Sequence, residues 1–164
     1  MRDGAGIRRG EVTDAAAIAG MLRILADELG DGDVFSTTEE IVRRHGFGPE
    51  PKFTTLIAEA DGTPVGLALY FRQFSTTHGQ VGAYVQDLWV APNWRGSGLG
   101  ARLLSAAAKE TAEAWGAEHL KLTVYHNNPD AARFYERLGF KAMENQQPML
   151  LAGAAFCAQW ESDA

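Results

Sequence analysis

Hydrophobic positions along the chain follow two rhythms. In residues 15–29 they recur at three- and four-residue steps, with Ile18, Met21, Leu22, Leu25 and Leu29 on one stripe. That spacing predicts an amphipathic helix. Thr13-Asp14 supplies its N-cap and Gly30 its stop. Ile7-Arg8-Arg9 before it reads as a short first strand, and residues 30–36 as a loop of turn formers. Thr37-Thr38-Glu39-Glu40 opens a second, short helix that runs to about His45.

The rhythm then changes. Residues 53–60 read as a strand, Asp61-Gly62 as a hairpin turn, and residues 65–74 as the returning strand. Residues 81–90 form a third strand, which completes an antiparallel meander. After a loop at 91–98 the helical period returns over 99–115, with Leu103, Leu104, Ala107, Ala108, Ala112 and Trp115 inward and Gly116 as its stop. Residues 118–125 read as a strand with Leu120, Leu122 and Val124 on one face. Asn128-Pro129 opens a helix that closes at Leu138-Gly139. Residues 140–143 and 149–156 are predicted as the last strands. A meander followed by strand, helix, strand, helix and strand is an α+β pattern. It gives a mixed central sheet with one parallel pair beside the long helix, flanked by helices.

Length and composition add bounds. The 164 residues suit a single domain, and 46% apolar with 22% charged residues is ordinary for a globular protein. The lone Cys157 excludes an intramolecular disulfide and fits a reducing, cytoplasmic setting. A net charge of −6 points away from nucleic acid and anionic membranes and toward a cationic partner. No apolar run is long enough to span a bilayer, and the N-terminus lacks the apolar core of a signal peptide. The histidines, Cys157 and the acids show no metal-ligand spacing, so no metal is expected.

The candidate chemistry lies in the segment Val90-Ala-Pro-Asn-Trp-Arg-Gly-Ser-Gly-Leu-Gly100. It joins a strand to a long helix. Its glycines let the backbone approach a ligand, and the helix start offers free N–H groups and a favourable dipole. Arg95 adds planar donors suited to phosphate. The loop is therefore expected to bind a phosphate or pyrophosphate. No Lys-Ser/Thr pair follows the last glycine, so it is not a P-loop. The pattern Gly96-x-Gly98-x-x-Ala101 also fits a dinucleotide fingerprint, but the loop follows a meander, and no acidic residue ends the next strand.

Arg95-Gly96-Ser97-Gly98-Leu99-Gly100 resembles the pyrophosphate-binding signature of the GNAT superfamily of N-acetyltransferases, Arg/Gln-x-x-Gly-x-Gly/Ala. Leu88-Trp89-Val90 resembles the end of that superfamily's bulged strand. Asn128 and the downstream Phe-Tyr-Glu-Arg-Leu-Gly-Phe at 134–140 are similar to its second cofactor motif. The likeness covers about residues 7–150. A narrower likeness, in residues 46–59 and 84–90, is to the diamine and polyamine branch, which includes spermidine/spermine and thialysine acetyltransferases.

The resemblance implies acetyl-coenzyme A as co-substrate, held by Leu88, Trp89, Val90, Arg95, Gly96, Ser97, Gly98, Leu99, Gly100, Ala101, Asn128 and Tyr135. It implies direct attack of an amine on the thioester. Tyr135 is then the general acid, since a phenol stays protonated up to about pH 10; its other reading is a core residue on the stripe of Ala131 and Leu138. Asp87 is the candidate base or amine anchor. The branch carries Glu-Asp where this chain has Gln86-Asp87, and a glutamine takes no proton. A backbone N–H near Leu88 is the candidate oxyanion donor. Asn128 also reads as a plain N-cap. Asp27, Glu28, Gln86 and Asp87 are the candidate acceptor-binding residues. The implied partner is a small cationic amine, and the superfamily's habit implies a homodimer. A protein or drug-like amine as acceptor, or an acyl-coenzyme A sensor without turnover, stand as the alternatives.

Overall fold

The alternation along residues 54–90 is realised as three antiparallel strands in a computed structural model that describes residues 4–161. Strand β2 (Thr54–Ala60) turns at Asp61-Gly62 into β3 (Thr63–Ser75), which returns as β4 (Gln80–Val90). Asp61 and Gly62 both have positive φ, as a tight hairpin requires. Strand β1 (Gly6–Arg9) adds antiparallel to β2, and β5 (Leu120–Lys121) adds parallel to β4. The sheet order is therefore β1-β2-β3-β4-β5, the mixed sheet the sequence predicts.

Helix α1 (Ala15–Leu29) buries Ala15, Ile18, Met21, Leu22 and Ala26. It packs, with Val42 of α2 (Glu39–Phe47), on Ile57, Leu67, Leu69 and Trp89 of the sheet. Gly30 closes α1 in the left-handed conformation, and Thr38 caps α2 by accepting from the Ile41 N–H. Asp14 does not cap α1 with its side chain. Its carboxylate accepts from the Glu11 N–H and from Arg8, whose guanidinium also reaches Glu59 on β2. These bonds tie β1, β2 and the start of α1 together.

Helix α3 (Leu99–Trp115) lies on the other face and buries Leu99, Leu103, Leu104, Ala107 and Thr111. Thr111 enters the core because its hydroxyl donates to the Ala107 carbonyl at 2.8 Å. Ala112, predicted inward, is exposed; Ala108 and Trp115 are half-buried. Trp115 instead lies against Tyr70 and under Arg72. Gly66 on β3 allows this close packing, since a Cβ there would meet Leu103 at 3.0 Å.

The predicted strand over 118–125 shortens to β5. Its ladder ends at Tyr84–Lys121, just before β4 bulges and its edge turns out of register. Tyr84 Oη and Thr123 Oγ1 meet at 2.6 Å beyond the ladder.

The chain divides after Thr123 into two compact units. The second holds α4 (Pro129–Arg137) and α5 (Gly153–Glu161). Neither strand predicted at 140–143 or 149–156 forms: the first is irregular, and Gly153–Glu161 is helical. Among the described residues of this unit no strand offers a ladder, whereas a helix satisfies its own backbone. The alanines of GAAFCAQWE also favour it. Among the described residues no helix is long and apolar enough to cross a membrane.

Candidate active site

The site begins with a break in strand alternation. Leu69 pairs with Asp87, but Tyr70 pairs with Val85, so Gln86 has no opposite residue on β3. Without this bulge, Asp87 would share the face of Val85 against α3. With it, Asp87 and Trp89 share the face of Leu69, toward α1. Leu88 is turned to the α3 face opposite Ala68, and Gln86 is exposed. The family resemblance points to a bulge after Asp87, near Leu88; the register corrects this and puts it before Asp87, at Gln86.

Asp87 sits at the edge of the core formed by Leu69, Trp89, Met21 and Leu22. Desolvation in that setting pushes its carboxyl up to about 6. The buried Trp89 indole N–H has no hydrogen-bond partner among the described residues.

The glycine loop follows β4. Pro92–Trp94 forms a 3-10 turn, Gly96 and Gly98 take φ of 76° and 83°, and Gly98 is the N-cap of α3. Both glycines are needed for their left-handed backbone rather than for space, since a Cβ on either would meet nothing within 4 Å. That open space matters. Among the described residues, the amides from Gly96 to Ala101 make no backbone hydrogen bond outside the helix, and the first α3 cap bond is Arg102 N to Gly98 O. Free amides thus converge at the start of a 17-residue helix, where the dipole also favours an anion. Ser97 Oγ donates to the Trp94 carbonyl at 2.6 Å. Leu99 is buried and anchors the helix start, with Gly100 and Ala101 half-buried beside it.

Arg95 is engaged elsewhere in the protein. Its Nη2 lies 2.8 Å from both Glu28 oxygens, and its Nε donates to the Val90 carbonyl at 2.9 Å. Glu28, predicted on the acceptor wall, is thereby paired with the glycine loop. Nothing in the local sequence signals this contact between residues 67 apart. Asp27 is exposed and pairs with Arg23 one turn earlier.

In the second unit, Asn128 Oδ1 accepts from the Ala131 N–H at 3.2 Å and so caps α4. Pro129 follows at the first helical position. The half-buried Tyr135 lies edge-on to Phe134 and Phe140, with ring centroids 5.0 and 5.5 Å away.

Residues 18–140 match the family model described as "Acetyltransferase (GNAT) family". The chain is 32% identical over 166 residues to the thialysine N-epsilon-acetyltransferase of Bos taurus, covering 96% of this chain and 93% of that protein. It is 28% identical over 83 residues to the spermine/spermidine N(1)-acetyltransferase of Bacillus subtilis (strain 168), covering 49% of this chain and 55% of that one. Its fold is similar to the solved structure of an integron cassette protein from the mobile metagenome of V. cholerae, with a TM-score of 0.77, 21% identity, and 94% and 96% of the two chains covered. With the family model spanning most of the sequence and a bovine N-acetyltransferase matched nearly end to end, the chain belongs to the GNAT family of acetyltransferases and is an N-acetyltransferase.

Proposed function

We propose that the protein uses acetyl-coenzyme A to acetylate a primary amine of a small cationic molecule, a polyamine, diamine or lysine analogue. The observation that carries the donor half is the row of free amides from Gly96 to Ala101 at the start of α3, under open space at Gly96 and Gly98. This cradle fits a pyrophosphate, which needs several convergent N–H donors and a positive dipole end. When bound, acetyl-coenzyme A supplies an activated acyl group as a thioester. Leu88, Trp89 and Val90 lie past the point where β5 stops pairing; the Val90 carbonyl is taken by Arg95, and we assign the outer backbone edge that remains to the donor's arm. Asn128 and Tyr135 are assigned to the same arm.

Asp87 carries the acceptor half. An ionised carboxylate at the rim of an apolar core attracts an ammonium group, because little water screens it. With its titration near 6, it takes up a proton at its carboxylate under near-neutral conditions. Gln86, the bulged residue, has no such capacity, so the proton-accepting role falls to Asp87. Tyr135 is assigned to give up a proton at Oη. A backbone N–H near Leu88 is assigned to the developing oxyanion. The match to the bovine thialysine enzyme supports a small-amine acceptor.

The test is thiol release from acetyl-coenzyme A against putrescine, spermidine, spermine, thialysine, lysine and a histone-like peptide. Turnover on a small polycation or thialysine supports the reading. Turnover confined to the peptide transfers it to a protein acceptor, and silence across the panel with the donor still bound removes the small-cation acceptor.

A further inference from the structure

We infer that Glu28, at the end of α1, is a positioning residue for the donor loop: through Arg95 it clips the glycine loop to α1 and β4, and Arg95 serves as that clip rather than as a phosphate ligand. The inference rests on the proposed donor reading of the loop. Between Arg95 and the buried Leu99, the glycine positions add no packing, since a Cβ on Gly96 or Gly98 would touch nothing within 4 Å. Among its side-chain ties are the Ser97 Oγ bond to Trp94 and the bonds of Arg95. Arg95 stands just before Gly96 and spans three elements. Nε holds the carbonyl of Val90, the last residue of β4, and Nη2 holds both oxygens of Glu28 near the last turn of α1. The fork geometry of a guanidinium makes this double engagement possible; an ammonium at the same place has no such fork.

Charge supports the same assignment. A carboxylate near a helix C-terminus is disfavoured by the dipole unless a cation meets it, and Arg95 is the cation that does so. With Glu28 balancing its charge, Arg95 adds little net field at the cradle, and anion affinity falls to the backbone amides. Glu28 thus contributes to donor binding by keeping those amides convergent, although it donates nothing itself.

The opposite arrangement makes the opposite prediction. If Arg95 were a phosphate ligand restrained by Glu28, removing the Glu28 charge would release it and tighten donor binding. Calorimetric titration of coenzyme A into wild type, Glu28→Gln, Arg95→Lys and the double variant separates the two, with thermal melts confirming that each variant folds. The clip predicts a Kd raised about tenfold by either single change, because small misplacements of a preorganised site are costly. It also predicts that the double variant is no worse than either single one, since both break one unit. In turnover, Glu28→Gln raises the KM for acetyl-coenzyme A and leaves kcat and the acceptor KM near wild type. Tighter or unchanged binding by Glu28→Gln, or an effect confined to the acceptor KM, overturns the clip. Failure of wild type to bind coenzyme A overturns the donor reading itself, and the clip with it.

Discussion

Leu69 and Asp87 face each other across the β3–β4 ladder, one step out of phase with the Tyr70–Val85 pair that follows. That single extra residue, Gln86, decides which side of the sheet Asp87 serves. It moves a carboxylate from the α3 face to the α1 face of the sheet, which Leu69 and Trp89 share. Burial there shifts its titration from the ordinary 3.8 to about 6, so ionisation costs stability in the folded protein.

This cost has a definite pH sign. A carboxyl whose folded pKa is raised loses stability relative to the unfolded chain as pH climbs from its ordinary value to its folded one. Asp87→Asn is therefore expected to be more stable than wild type at pH 8, by about 1–2 kcal/mol after allowing for partial solvation. The difference shrinks through pH 6 and vanishes below about pH 4. Thermal melts across that range test it. In turnover, the wild-type profile of kcat/KM for the acceptor is expected to lose activity below a limb near 6. The Asn variant has low activity and no such limb.

The two ends of α3 offer a matched pair of substitutions. Gly98 and Gly116 both cap the helix with positive φ, 83° and 67°, and neither has a neighbour that a Cβ would strike. Alanine at either is expected to cost about 1 kcal/mol of backbone strain. Only Gly98→Ala is expected to weaken coenzyme A binding, by about tenfold or more, because it perturbs the free amides. Equal loss of affinity at both positions would remove the anion cradle from the helix start.

Tyr135→Phe preserves the ring and so its edge contacts with Phe134 and Phe140. If Oη supplies a proton, kcat falls by about a hundredfold, and coenzyme A affinity stays within about threefold, as for a change that removes only a transition-state interaction. Steady-state rates paired with calorimetry decide this; an unchanged kcat would return Tyr135 to a packing role.

Arg8 bonds Asp14 at 2.8 and 2.9 Å and Glu59 at 2.8 Å. Arg8 holds the Asp14 carboxyl below its ordinary range. A group lowered in this way stabilises the fold above its unfolded pKa, and that contribution is lost as pH falls through the folded value. Arg8→Ala is expected to cost about 1 kcal/mol at pH 7 for a partly exposed network. The gap from wild type closes in acid, which denaturant titrations at pH 7 and pH 3 read directly.

Much of the scaffold was legible from local chemistry. The α1 stripe, the Asp61-Gly62 turn and the three-strand meander follow from periodicity and turn residues, which act over a few neighbours. So does the glycine loop between β4 and α3. Local signals misled where a strand needed a partner. Residues 149–156 carry an apolar run that reads as a strand, but a strand is stable only beside another, and Gly153–Glu161 coils on itself instead.

The candidate site divides along the same line. By itself the sequence determined that a glycine-rich loop opens α3, that Asn128-Pro129 starts α4 and that Asp87 lies on the strand before the loop. These depend on φ preferences, capping and element order, all written locally. Only the tertiary structure decided which face Asp87 takes, because a bulge at Gln86 is a matter of register with β3. It likewise decided that Glu28 belongs with Arg95, because an ion pair between positions 67 residues apart exists only once α1 and β4 are packed on each other.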